Sequence, residues 1–228
     1  MNRTLKLAGA VLLSPLIFTG LLLGPAGTWS WWRAWVFIGV MLGVSLATTA
    51  GIFVRRPDLL DERYKPPFQK GQPAADRIVV SLLVLSFIGM VVFIPLDAFR
   101  FHLLGKPGPA VSALGLAFVV GSGVVTYLAF RENAFAALVV RHQAERGQRV
   151  IDAGVYAVVR HPLYAAGILL FIGLPLWLQS YAAALLASVP IAALLVRIRV
   201  EERFLRRELP GYEAYMERVR RRLIPFVW

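Results

Sequence analysis

Long apolar runs alternate with short basic stretches along the whole chain. Runs of about 18 or more apolar residues are typical of transmembrane helices. The pattern therefore predicts an all-α, polytopic integral membrane helix bundle of about six transmembrane helices. The six apolar segments lie at roughly 5–23, 31–54, 78–96, 110–130, 163–178 and 181–198.

The last two apolar segments are separated only by Gln179 and Ser180, and Pro175 comes shortly before them. Such a short connection predicts a C-terminal helical hairpin that returns the chain to the side from which it came. Pro162 precedes the first arm, and proline is favoured at the first position of a helix. We therefore expect the fifth span to begin at Pro162.

Composition and charge narrow the class of protein. The chain is 58% hydrophobic with a formal net charge of +12 and no cysteine, whereas soluble domains are about 45–50% apolar. Its basic residues lie between the apolar segments rather than along one solvated stripe, so we expect a lipid bilayer as partner and no nucleic acid. The lack of cysteine excludes disulfides and thiolate chemistry, and with histidines on three separate loops we expect no metal site.

The distribution of Lys and Arg predicts the orientation in the membrane. With the N-terminus in the cytoplasm, 22 of the 25 lie in inside segments, and only Arg33, Arg100 and Lys106 lie in outside loops. Cytoplasmic loops are enriched in such residues. We therefore predict an inner, cytoplasmic-type membrane with both termini cytoplasmic.

The sequence predicts two units along the chain. The polar segment 55–77 separates an N-terminal unit, residues 1–77 with two spans and this cytoplasmic loop, from a core at residues 78–228. Two G-x-x-x-G pairs, Gly20/Gly24 and Gly39/Gly43, predict close helix packing within the monomer rather than a dimer face. The oligomeric state stays open.

Two inside segments, 145–164 and 197–225, are rich in residues that bind ligands. The hairpin joins them, so both lie at the same membrane face. The first ends in Arg160-His161-Pro162-Leu163-Tyr164, where a helix N-terminus attracts a carboxylate or phosphate. His161 and Tyr164 share one face of that turn. These side chains could equally be a simple interfacial anchor.

Glu201 and Glu202 follow the sixth span among several arginines. One interpretation is helical pairing at i,i+4, Arg197 with Glu201 or Glu202 with Arg206. The other is a clamp for a zwitterion, with the carboxylate binding an ammonium group and the helix amides binding a carboxylate. The residues alone leave the two interpretations balanced.

These motifs together carry a resemblance over roughly residues 131–225. Over this range the chain resembles the isoprenylcysteine carboxyl methyltransferase family and the related phospholipid methyltransferases. Its first two spans resemble bacterial-type members. The matching residues are Gly154, Tyr156, Arg160, His161, Pro162 and Tyr164, then Glu201, Glu202, Leu205, Gly211, Tyr212, Tyr215 and Pro225.

The resemblance implies an integral-membrane methyltransferase that uses S-adenosylmethionine. Arg197 would face the methyl acceptor and act in catalysis with Glu201, while Arg199 and Glu202 are adjacent alternatives because the tail can be aligned one residue either way. The implied cofactor contacts are Gln148, Arg149, Val150, Ile151, Tyr156, His161, Pro162, Leu163, Tyr164, Glu201 and Glu202.

Several activities remain open. The family's named reaction is carboxyl O-methylation of a prenylcysteine-like acceptor, and a phospholipid or a small isoprenoid is the alternative acceptor. A sterol- or steroid-type reductase using NADPH carries a similar turn, but there an Asn stands where this chain has Leu163, and an acid follows. A transporter or scaffold is less favoured, since the spans contain almost no ionisable residues.

Overall fold

The computed structural model describes residues 2–63, 72–133, 135 and 147–224, and the described part is all helix and loop. Two helices continue into a π-helical turn, α2 through Thr49–Phe53 and α4 through Asp97–Phe101, and a 3₁₀ turn covers Gly154–Ala157. The helices are α1 (Arg3–Ala26), α2 (Trp32–Thr48), α3 (Pro57–Arg63), α4 (Ala74–Leu96), α5 (Pro109–Glu132), α6 (Pro162–Trp177), α7 (Tyr181–Leu186), α8 (Ser188–Glu208) and α9 (Tyr212–Arg218).

Five helical segments of the described chain are long and apolar enough to cross a membrane. The prediction of an all-α polytopic bundle is therefore confirmed. The predicted fifth span is α6, which begins at Pro162 as expected but has only 16 residues. At a rise of about 1.5 Å per residue it is shorter than an average bilayer core. The long segments are Arg3–Ala26, Trp32–Phe53, Ala74–Phe101, Pro109–Glu132 and Tyr181–Glu208.

The C-terminal hairpin turns at the predicted place. After α6 the chain reverses through Gln179, which has a positive φ of 65°, and the Ser180 side chain caps α7 by accepting from the Ala183 amide. The second arm is divided into α7 and α8. While α6 packs mainly along α5, α8 packs mainly along α4. The contact between Asp76 and Arg197 places the start of α4 beside the middle of α8.

Side-chain contacts show which helix ends share a face of the bundle. At one end, Arg3 donates to the Val54 carbonyl at 2.7 Å, joining the start of α1 to the end of α2. At the other, Arg33 donates to the Trp177 carbonyl at 3.1 Å, and Ser180 donates to Asp97 at 2.7 Å. Arg3 therefore lies at the end of the bundle where α2 ends, and Arg33 lies at the end where α2 begins.

The close glycine contacts lie elsewhere than the sequence predicts. Among the described residues, nothing lies within 4 Å of a Cβ built on any glycine of the two G-x-x-x-G pairs, so the predicted packing role of those pairs is wrong. The backbones of α5 and α6 meet at Gly115 and Gly173 instead. A Cβ on Gly115 would lie 2.6 Å from the Trp177 nitrogen, and one on Gly173 would lie 2.7 Å from the Gly115 carbonyl oxygen.

We expect Gly173→Ala to lower the thermal stability of the detergent-purified protein by about 1–3 kcal/mol, because the added methyl group meets rigid backbone. Gly39→Ala is the matched control, since its methyl group would enter open space and alanine favours a helix over glycine. Thermal unfolding of both variants measures the difference. Equal melting temperatures for the two variants would contradict the close α5–α6 contact.

Candidate functional site

A buried ionic cluster surrounds the Glu202 carboxylate. Arg160 Nε and Nη2 donate to Glu202 Oε1 at 2.9 and 2.7 Å, and His161 Nε2 lies 3.2 Å from the same oxygen. Arg222 Nε donates to Oε2 at 2.9 Å. The side chains of Glu202 and Arg160 are 6% and 4% exposed. Both carboxylate oxygens are therefore engaged by charge-assisted hydrogen bonds, which satisfy a charge that would otherwise be costly to bury.

The C-terminal tail is fastened to this cluster by its backbone. The amides of Arg160 and His161 donate to the carbonyls of Arg221 and Arg222, each at 2.9 Å. Arg160 Nη1 also donates to the Val219 carbonyl at 2.7 Å. The tail therefore lies alongside the turn that opens α6, and the Glu202 cluster joins three separate parts of the chain.

The second part of the site is built on the other carboxylate. The Tyr164 hydroxyl donates to Glu201 Oε2, and His161 Nδ1 lies 3.9 Å from that oxygen. The rings of His161 and Tyr164 are stacked, with centroids 5.3 Å apart and an interplanar angle of 3°. The imidazole therefore lies between two carboxylates, with one ring nitrogen directed at each.

Arg197 also contacts the Tyr164 ring. Its guanidinium carbon is 5.5 Å from the ring centroid, within the range of a cation–π interaction. Its Nε donates to Asp76 Oδ1 at 3.2 Å, and Gln72 Nε2 donates to Asp76 Oδ2 at 2.7 Å. The first turn of α4 is thereby tied to α8 and to the aromatic face of α6.

A small apolar cluster packs the tail against the segment that precedes α6. The Tyr215 hydroxyl donates to the Tyr156 carbonyl at 2.8 Å, and burial raises the pKa of Tyr215, which keeps this donor protonated. Burial, and then the charges of Glu201 and Glu202, raise the pKa of Tyr212. The cluster consists of Leu209, Tyr212, Tyr215 and Val219, with Val150, Leu205 and Met216 packed against it.

Gly154 shows why the segment before α6 has its shape. It opens the 3₁₀ turn with a φ of 57°, a left-handed conformation that L side chains rarely adopt. A Cβ there would also lie 2.7 Å from Glu132 Cγ. The turn can therefore approach the end of α5 closely, which positions buried Tyr156 beneath the tail.

The structure brings together five of the residues that the sequence singles out and separates others from them. His161, Tyr164, Arg197, Glu201 and Glu202 form one contiguous group. Pro162 is buried as the first residue of α6, and Leu163 follows it half-buried. Gln148–Ile151 precede the 3₁₀ turn, with Val150 against the tail cluster and Arg149 exposed. Arg199 is exposed, and Pro225 lies outside the described residues.

Helical i,i+4 pairing does not account for Glu202. Glu202 is bonded to Arg160, His161 and Arg222 rather than to Arg206, and Arg206 pairs with Glu213. Arg197 forms an ion pair with Asp76, on another helix. Long-range contacts of Glu202 therefore replace the local pair with Arg206 that the sequence allows.

Sequence reasoning missed four contributors to the site. Asp76 and Gln72 lie outside the recognised motifs, and the sequence assigned them to a loop although Asp76 is in the first turn of α4. No local signal marks Asp76, because the helix dipole favours a carboxylate in the first turn whether or not it has a buried partner. Arg160 and Arg222 were seen only as a motif residue and as inside charge, yet they bind Glu202.

The fold and the site together define a class. The protein is a polytopic helical membrane protein with a buried ionic and aromatic cluster where α4, α6, α8 and the C-terminal tail meet.

Comparison with known families then identifies the region that forms most of this site. The family model described as phospholipid methyltransferase matches residues 110–210, a little under half of the chain. This is the family of the isoprenylcysteine carboxyl methyltransferase type, so the resemblance of the C-terminal motifs to that family is confirmed. The similarity of residues 110–210 to this family supports a membrane methyltransferase that acts on lipid-like substrates. No curated protein sequence gives a significant match to the chain.

Proposed function

We propose that this protein is an S-adenosylmethionine-dependent membrane methyltransferase that acts on a lipidic acceptor at the cytoplasmic face of an inner-type membrane. The observation that carries the proposal is the single group formed by His161, Tyr164, Arg197 and Glu201. All four lie within the residues that match the methyltransferase family. A carboxylate and a guanidinium held close together suit a cofactor that carries an ammonium group beside an acceptor that carries a carboxylate.

The donor set fits the parts of S-adenosylmethionine. Glu201, whose side chain is 25% exposed, offers a carboxylate to an ammonium group. The N-terminus of α6 at Pro162 offers a partial positive charge to a carboxylate. When bound, this cofactor supplies a methyl group on a sulfonium sulfur, and its displacement by an ionised oxygen needs no acid or base.

The protein residues would then act by holding and orienting. Glu202 binds Arg160, His161 and Arg222, and we assign it to ordering the site rather than to contacting the cofactor. Arg197 is the residue we assign to orienting the acceptor, because it is buried and lies against the Tyr164 ring. Alignment of two reactants can contribute about 7–11 kcal/mol to lowering a barrier, so residues that only position substrates suffice.

Among acceptors, we favour a carboxylate of the prenylcysteine type. A guanidinium binds a carboxylate through two parallel hydrogen bonds, which fixes the attacking oxygen. The acceptor's hydrocarbon chain would stay in the bilayer, while the polar cofactor would enter from the aqueous side. A phospholipid headgroup or a small isoprenoid is the other acceptor that a lipid-modifying family allows.

Two measurements on the detergent-purified protein test the proposal. Calorimetric titration compares S-adenosylmethionine with NADPH, and transfer of a labelled methyl group is measured to a prenylcysteine analogue and to total membrane lipids. We expect binding of S-adenosylmethionine and label in the prenylcysteine analogue. If label appears only in membrane lipids, the acceptor is a lipid and not a prenylcysteine. If the protein binds only NADPH, the proposed methyl transfer is wrong and a reductase takes its place.

The proposed orientation has its own test, since the chain contains no cysteine. A single cysteine placed at Arg207, near the end of α8, should react with a membrane-impermeant maleimide only in inside-out vesicles. A cysteine at Lys106, in the α4–α5 loop, should react only in intact spheroplasts, because the two positions are expected on opposite faces. The reverse labelling pattern would contradict a cytoplasmic site.

A further inference from the structure

We propose that Asp76 is a positioning residue for methyl transfer, which holds the Arg197 guanidinium in the orientation that receives the acceptor. The inference rests on the proposed function of Arg197. It adds a residue from α4, outside the residues 110–210 that match the family. The site would thus depend on the N-terminal part of the chain.

The burial of both groups is the first argument. Asp76 is 0% exposed and Arg197 is 7% exposed. A buried charge without a compensating partner is strongly unfavourable, and each of these groups supplies the opposite charge that the other needs. The contact between Arg197 Nε and Asp76 Oδ1, at 3.2 Å, makes that compensation directional.

The second argument is that the Asp76 carboxylate is itself fixed. Gln72 donates to Oδ2 at 2.7 Å, while Arg197 contacts Oδ1. Asp76 is the third residue of α4, where the positive end of the helix dipole favours a carboxylate. A carboxylate bound at both oxygens and anchored at a helix start cannot rotate freely. It therefore restricts the guanidinium that it binds.

The third argument is where that guanidinium is held. Arg197 lies against the Tyr164 ring, and the Tyr164 hydroxyl donates to Glu201. One continuous series of contacts therefore runs from Gln72 through Asp76, Arg197 and Tyr164 to Glu201. A small displacement at Asp76 would move Arg197 relative to the cofactor-facing side chains. Misplacement of about 1 Å can cost on the order of 100-fold in rate.

The experiment compares Asp76→Asn with a matched control, Asp97→Asn. Asp97 lies near the opposite end of the same helical span and is also buried, bound to Ser180 and to the Leu103 amide. Methyl transfer from labelled S-adenosylmethionine to the prenylcysteine analogue and to membrane lipids gives kcat and KM. Calorimetric titration gives the cofactor Kd, and thermal unfolding gives the stability of each variant.

We expect Asp76→Asn to lower kcat/KM for the acceptor about tenfold, with the cofactor Kd within about twofold of the unchanged protein. Asp97→Asn should lower the melting temperature while leaving kcat/KM unchanged. Gln72→Leu, a milder change, should move kcat/KM in the same direction by about threefold. In an Arg197→Ala background, Asp76→Asn should have no further effect on kcat/KM.

Two results would overturn the positioning role. One is a melting temperature lowered by Asp76→Asn without any change in kcat/KM below that temperature, which would make the pair merely structural. The other is that the effects of Asp76→Asn and Arg197→Gln on the free energy of unfolding are strictly additive, which would show that the two side chains do not interact. If the purified protein neither binds S-adenosylmethionine nor labels either acceptor, the proposed function is refuted instead. The double-mutant comparison of thermal unfolding would still show whether Asp76 and Arg197 are paired.

Discussion

Glu202→Gln is expected to lower the stability of the protein by about 3–5 kcal/mol, the usual cost of breaking a buried ion pair by removing one partner. The neutral amide cannot compensate Arg160 and Arg222, whose guanidinium groups would keep their charge at the same positions. We expect a melting temperature lower by roughly 10 °C. The tail should also become sensitive to trypsin at Arg218–Arg222, because the cluster that fastens it is lost.

The control for this prediction is Glu208→Gln, at the exposed end of the same helix. Surface substitutions away from special features usually change stability by no more than about 0.5 kcal/mol. Thermal unfolding and a timed trypsin digest of both variants in the same detergent supply the comparison. If Glu202→Gln melts within about 2 °C of the unchanged protein, the carboxylate does not organise the site.

Substitutions of Glu201 and Arg197 should separate the two roles that we assign to these side chains of α8, cofactor binding and acceptor orientation. Glu201→Gln should weaken binding of S-adenosylmethionine by about 10- to 100-fold, because a charge-assisted contact to the ammonium group is lost. His161→Ala should act in the same direction, since it removes the ring stacked on Tyr164. Isothermal titration of the purified variants measures both effects.

Arg197→Ala should show the opposite behaviour. It should spare cofactor binding and reduce turnover of a carboxylate acceptor by on the order of 100-fold, because the acceptor loses its orienting group. Arg197→Lys keeps the charge next to Asp76 but lacks the planar fork, so it should fold well and still lose most of the turnover. Single-turnover methyl transfer separates this loss from any change in binding.

Arg199→Ala decides between the two arginines that the sequence left as alternatives. Arg199 is exposed, so we expect its loss to change acceptor kinetics by less than about twofold. If Arg199→Ala reduced turnover as Arg197→Ala is expected to, the acceptor would bind on the other face of α8. If Arg197→Ala abolished cofactor binding and left acceptor kinetics intact, the roles would be reversed.

The spans and the turn of the hairpin follow from local sequence because their causes are local. A long apolar segment must satisfy its backbone groups internally, which forces a helix. Pro162 starts α6 because its missing amide hydrogen costs nothing at the first helical position. The grouping of the two motifs at one end of the bundle follows from the number of spans between them. The family resemblance could also be recognised from the sequence, because the motif residues are contiguous or regularly spaced.

The choice among neighbouring residues of α8 needed the packing of that helix. Arg197 and Glu201 are four residues apart and share a face, whereas Arg199 is rotated about 200° from Arg197 at roughly 100° per residue. Periodicity alone therefore pairs Arg197 with Glu201. Which face turns inward became clear only because α8 packs on α4. The same packing brings Asp76 to Arg197, across more than a hundred residues of sequence.

The sequence by itself thus determined the membrane bundle, the place of the hairpin and the two motifs that meet at its end. The tertiary structure decided the partners: Glu202 with the tail, Glu201 with Tyr164, and Arg197 with Asp76. It also moved the close glycine contact from the G-x-x-x-G pairs to Gly115 and Gly173. The physical reason is the same in each case. Helix formation depends on neighbours in sequence, whereas the choice of a buried partner depends on which helices are in contact.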